Sequence, residues 1–146
     1  VPAPHATSDE GTAPKAAILV SACLLGVRCN HVGASNPSAA VLALAERHRL
    51  IPVCPEVAGG LPTPRPAASL HADGRVVTAD GTDVTDAFTR GAAAAVALGC
   101  AVGAQRAVLK ARSPSCGRDG VTTAALRAAG FEVGDEEDEE REAGRA

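Results

Sequence analysis

Apolar and polar positions alternate along this chain in blocks. Ala16–Ala22 is a short, wholly apolar run containing Ile18 and Val20, the pattern of a strand buried on both faces. Pro37–Arg49 reads as a helix, with Asn36 as its cap, Pro37 in its first turn, and Val41, Leu44 and Ala45 on one face. Leu50–Val53 predicts a second strand, stopped by Pro55. Glu56–Asp73 is dense in Pro and Gly, too irregular for an element and long enough to expect a functional loop. Arg75–Thr78 predicts a short strand or hairpin arm, followed by the turn Asp80-Gly81. Thr82 or Asp83 then caps a helix running to about Leu98, with Val84, Phe88 and Ala92 buried and Gly91 weakening its middle. Ala107–Lys110 predicts a third strand, Ser113–Gly120 a loop, Val121–Ala129 a helix closed by Gly130, and Phe131–Val133 a last strand.

Strands alternating with helices predict an α/β fold: a single Rossmann-like, three-layer domain with a short, mainly parallel sheet and helices on both faces. The domain is expected over residues 15–134. Residues 1–14, rich in Pro, Ala, Thr and Ser, read as a disordered leader, and residues 135–146 as an acidic, disordered tail, a frayed helix or solvated chain.

Composition narrows the function. The formal net charge is −3 and only 1% of residues are aromatic, with two Phe and no Trp or Tyr. A nearly balanced chain without base-stacking rings offers little to nucleic acid, and no run approaches the length of a membrane span. The core must come from Val, Leu, Ile and much Ala, which buries little apolar area per residue. A metal centre linking several segments would support such a core.

The chain has five cysteines, an odd number at wide and uneven spacings, unlike a small disulfide scaffold. A reduced cytoplasmic protein using thiolates as ligands is the expectation. Cys23 falls just after the first strand, Cys54 at the end of the second, and Cys116 in the loop after Ala107–Lys110. In a parallel sheet all carboxyl ends lie at one edge, where ligands bind, so three thiols distant in sequence converge there. Soft sulfur donors select zinc, copper(I) or iron–sulfur clusters. Structural zinc usually takes four ligands, often in Cys-x-x-Cys pairs, which are absent here. A [4Fe–4S] cluster on three cysteines leaves one iron open to a substrate atom. Cys29 is a candidate fourth ligand or a spectator, Cys100 reads as structural, and His31 as a ligand or a solvated loop residue. His5, His48 and His71 read as surface positions.

Polar groups gather beside these cysteines. Glu56, two residues past Cys54, is a candidate general acid or base. Ser113 and Ser115 are candidate catalytic residues, for proton transfer or for hydrogen bonds to a cluster sulfide or substrate, or they merely shape the turn. Lys110 and Arg112 could offset cluster charge, and Lys110 and Arg65 are candidate substrate-binding residues, Arg65 by clamping a planar or anionic substrate bidentately.

Three blocks carry a specific resemblance: Val20-Ser21-Ala22-Cys23-Leu24-Leu25-Gly26, Pro52-Val53-Cys54-Pro55-Glu56-Val57 with Gly60-Leu61-Pro62-Thr63-Pro64-Arg65, and Lys110-Ala111-Arg112-Ser113-Pro114-Ser115-Cys116-Gly117. Together with Asp80-Gly81-Thr82-Asp83-Val84-Thr85, the chain resembles the thiouracil desulfidase family over about residues 16–133. The resemblance implies a [4Fe–4S] cluster on Cys23, Cys54 and Cys116. Its open iron takes the sulfur of a small thiolated base, yielding uracil and sulfide. It also implies dependence on the iron–sulfur assembly machinery. Two departures stand out. His31-Val32-Gly33 replaces a Tyr-Asp-Gly common in relatives, and Gly117 reaches Gly120-Val121-Thr122 without their longer intervening loop. The residues alone also admit a non-catalytic iron–sulfur or zinc module, or a sulfide or persulfide carrier.

Overall fold

The computed structural model of the chain describes residues 14–145, so all but the last residue of the expected leader lies outside the described residues. Strands β1 (Ala16–Ser21), β2 (His48–Val53), β5 (Arg106–Leu109) and β6 (Glu132–Asp135) form one sheet in the order β2-β1-β5-β6. Every pairing in it is parallel. Strands β3 (Ala68–Leu70) and β4 (Val76–Thr78) form a separate antiparallel hairpin.

Helices flank the sheet on both faces, as the alternating pattern predicts. On one face Leu19, Ala107 and Leu109 pack with Ala95 of α3 (Thr85–Ala101), Leu126 of α4 (Val121–Ala128) and Phe131. On the other, Ile18, Val20 and Val108 pack with Val41 of α1 (Ala39–Ala43). Among the described residues no helix is long and apolar enough to cross a membrane.

Four expectations change in detail. The helix expected over Pro37–Arg49 is shorter, α1 running directly into a 3-10 turn over Leu44–Glu46, and it starts later because Ser38 rather than Asn36 caps it, its Oγ accepting from the Val41 N–H. Its expected end is drawn into β2, where His48 and Arg49 pair with Ala16 and Ala17. The expected irregular loop holds both α2 (Pro55–Ala58) and β3. The acidic tail is helix α5 (Glu136–Gly144), opened by a capping box in which Asp135 and Asp138 satisfy each other's backbone N–H. It docks rather than frays: Glu136 is only 6% exposed, and Glu140 accepts from the Ser38 hydroxyl.

α2 meets α3 backbone to backbone. A Cβ on Gly91 would lie 1.8 Å from the Pro55 carbonyl oxygen, and one on Gly59 would lie 1.9 Å from that of Ala87. Gly91 therefore fixes the height of the Cys54–Glu56 turn above the sheet.

Candidate metal centre

The strand order runs outward from β1 to β2 on one side and to β5 and β6 on the other. The switch point therefore lies between the carboxyl ends of β1 and β5, where open α/β sheets form ligand crevices. The Ser21 hydroxyl, at the end of β1, accepts from the Lys110 N–H at 2.8 Å and ties the two strand ends together. Cys23 follows on a single turn of 3-10 helix, Ala22–Leu25. Cys54 follows β2 and opens α2. Cys116 sits in a turn whose N–H groups at Ser115 and Cys116 donate to the Ser113 hydroxyl, at 3.1 and 3.0 Å. Thr123 Oγ1, on α4, donates to the Cys116 carbonyl at 3.0 Å. Four cysteines, Cys23, Cys29, Cys54 and Cys116, line one cavity of about 400 Å³ at this edge. That volume suits a small ligand.

The thiols feel one another. Burial pushes the Cys116 thiol up to about 12, against the Ser21 hydroxyl that lowers it, and Cys23 and Cys54 add to the rise. Burial also raises Cys23, opposed by a hydrogen bond from Asn36 and reinforced by Cys54. Cys29 is raised to about 12 by burial and by Cys54. Without metal the folded protein thus keeps thiol protons that an unfolded chain releases around pH 9.0. This contribution is complete below that pH and is lost as pH climbs from about 9 to about 12. The Tm of the metal-free protein should therefore fall through this range. The cluster-loaded protein, whose ligand thiols have already given up their protons, should fall less. Thermal unfolding of both forms checks this, and equal pH slopes contradict it.

The other expected site residues divide. Glu56, Ser113, Lys110 and His31 line the cavity. The Lys110 ammonium is held at 3.0 Å by both Glu136 and the Ala111 carbonyl. Ser115 is 1% exposed, and its hydroxyl pairs with Thr122 at 2.9 Å, so it braces the turn and reaches no ligand. Arg65 does not clamp a substrate either. It lies behind Glu56, with its guanidinium bonded to Glu56, Thr63, Pro62 and Cys29. Cys100 is exposed at the end of α3, away from the cavity. Sequence reasoning missed Ser21, Asn36 and Glu136. The buried Glu136 accepts from the Ala111 N–H at 2.6 Å besides pairing with Lys110. Only the Asp-x-x-Asp spacing of Asp135 and Asp138 signalled that helix.

Do these residues fit an iron–sulfur cluster? A single tetrahedral ion with bonds of about 2.3 Å needs its sulfurs about 3.8 Å apart. Among the described residues, no three His, Cys, Asp or Glu side chains are gathered closely enough to hold one ion. A cubane takes each thiolate on a different iron and so accepts wider spacing. Three soft donors from three strand ends around one cavity fit it.

The family model described as 2-thiouracil desulfurase matches residues 18–138. The chain belongs to that family. A curated relative, the uncharacterized protein YbbK of Bacillus subtilis (strain 168), is 34% identical over 140 residues, covering 80% of this chain and 93% of YbbK. Among solved structures, the [4Fe–4S]-dependent thiouracil desulfidase TudS matches with a TM-score of 0.77 and 44% identity, covering 85% of this chain and 93% of TudS. Membership accounts for all three cysteine blocks, which fall within the matched residues.

Proposed function

We propose that this chain removes sulfur from thiouracil or a related small thiolated base, using a [4Fe–4S] cluster on Cys23, Cys54 and Cys116, and yields uracil and sulfide. The observation that carries the reading is the meeting of three strand-end cysteines at the switch-point cavity of a 2-thiouracil desulfurase family member. Its resemblance to a [4Fe–4S]-dependent thiouracil desulfidase supports the cofactor and the substrate class.

When bound, the cluster supplies an iron without a protein ligand, a Lewis acid that polarises a thiocarbonyl group. The chain's own residues provide the rest. Exchanging C=S for C=O consumes one water and releases hydrogen sulfide, so two protons leave oxygen and two arrive on sulfur. Glu56 Oε2 is the base that takes a proton from the water, while Oε1 is engaged by Arg65. The Ser113 hydroxyl accepts two backbone N–H groups, which leaves its own proton for a ligand in the cavity it lines. The Lys110 ammonium has three donors, two of them engaged, and its third orients an exocyclic oxygen of the base. We place the reaction in the reducing cytoplasm, where the assembly machinery delivers clusters and thiols stay reduced. The five unpaired cysteines agree with this.

The test is anaerobic reconstitution with iron and sulfide, then addition of 2-thiouracil with uracil and sulfide followed in time. Catalytic release of both is expected. A protein that holds its cluster and releases neither would be a binding module or carrier instead.

A further inference from the structure

We propose that Arg65 is a positioning residue for desulfidation, acting through the Glu56 carboxylate and touching neither substrate nor cluster. The inference rests on the reading of Glu56 given above. Arg65 Nε donates to Glu56 Oε1 at 2.8 Å, and the two side chains are 5% and 15% exposed. Glu56 lines the cavity and Arg65 does not, so the guanidinium forms a second layer behind the carboxylate. Its other donors are held within the protein. Nη1 reaches Thr63 Oγ1 at 3.1 Å and the Pro62 carbonyl at 3.3 Å, and Nη2 reaches the Cys29 carbonyl at 2.8 Å. The Arg65 N–H also donates to the His31 carbonyl at 2.8 Å.

This pattern explains why the residue is an arginine. A flat fork with donors at fixed angles serves four acceptors in different directions, which a lysine's single ammonium cannot do. The Cys29 carbonyl that Arg65 holds lies beside Cys54, whose thiol donates to it at 3.7 Å in the metal-free protein. One guanidinium therefore sets the Glu56 carboxylate against the fixed backbone at Cys29 and Pro62. Freed from Arg65, Glu56 would sample other rotamers, and an error of about 1 Å in a reacting group costs on the order of 10²-fold in rate.

The experiment compares anaerobically reconstituted wild type, Arg65→Ala, Glu56→Ala and the double variant, reading cluster content by iron analysis and visible absorption, and kcat and KM with 2-thiouracil. Arg65→Ala should keep its cluster and its KM while kcat falls on the order of 10²-fold. The double variant should be no slower than Glu56→Ala, because Arg65 acts only through that carboxylate. Guanidinium ion should restore kcat to Arg65→Ala and not to the double variant. The ion can reach the vacated place through a cavity of about 140 Å³ lined by Arg65, Leu61, Pro66 and Phe88. Wild-type kcat in Arg65→Ala, cluster loss in that variant, or a double variant slower than Glu56→Ala would each overturn the proposal. An active wild type with any of those results overturns this inference alone. An inactive, cluster-loaded wild type overturns the desulfidase reading with it.

Discussion

Cys116→Ser should leave a folded protein that retains no cluster after anaerobic reconstitution and releases no sulfide from 2-thiouracil. The substitution is nearly isosteric and removes no backbone anchor. The Ser113 hydroxyl still receives the N–H of residue 116, and Thr123 still donates to its carbonyl. What changes is the donor: a hard alcohol oxygen replaces a soft thiolate that iron–sulfur clusters select. Cys116 is a sharper probe than its two partners. Cys29 lies close enough to Cys54 and Cys23 for their charges to act on it, and so could stand in for either. Cys100→Ser is the control, since that thiol is exposed and far from the cavity. Its cluster content and turnover should equal wild type. A Cys116→Ser protein with a full cluster and normal turnover would contradict the ligand assignment.

The second large effect is expected from a residue with no polar atoms near the chemistry. Helix propensity alone says that Gly91→Ala, in the middle of α3, should stabilise by about 1 kcal/mol. Packing says the opposite. The new methyl carbon would lie 1.8 Å from the Pro55 carbonyl oxygen, well inside contact distance, with a backbone atom that cannot swing aside. Overpacking of this kind costs roughly 1–3 kcal/mol or more, so it outweighs the propensity gain. The clash is relieved by lifting α2, which carries Cys54 and Glu56 on either side of Pro55. Gly91→Ala should therefore lower Tm, weaken cluster retention and reduce turnover on the order of 10²-fold. Thermal unfolding and sulfide release measure it. A higher Tm with unchanged turnover would show that the two helices do not govern the site.

These expectations trace what the sequence could and could not say. Cys23, Cys54 and Cys116 were legible because each follows an apolar, β-branched run, and a parallel sheet brings all such ends to one edge. No spacing between the cysteines carries that information; the topology does. Side-chain direction was not legible. Arg65 and Ser115 sit in the right segments, yet one turns behind Glu56 and the other into Thr122. Which way a loop residue faces depends on tertiary partners that sequence neighbours do not specify. α5 was masked by its own composition, since a run of acidic residues reads as solvated. Its capping box and the pairing of Glu136 with Lys110 outweigh that repulsion. The helix expected to reach Arg49 stops short because the sheet register claims His48 and Arg49 for β2.

The proposed three-cysteine site leaves one iron open, and Mössbauer spectroscopy of the reconstituted protein with and without 2-thiouracil reads that iron. One iron should differ from the other three, and that iron alone should respond when the thiolated base is added. Four irons of like, thiolate-bound character, unmoved by the base, would contradict it.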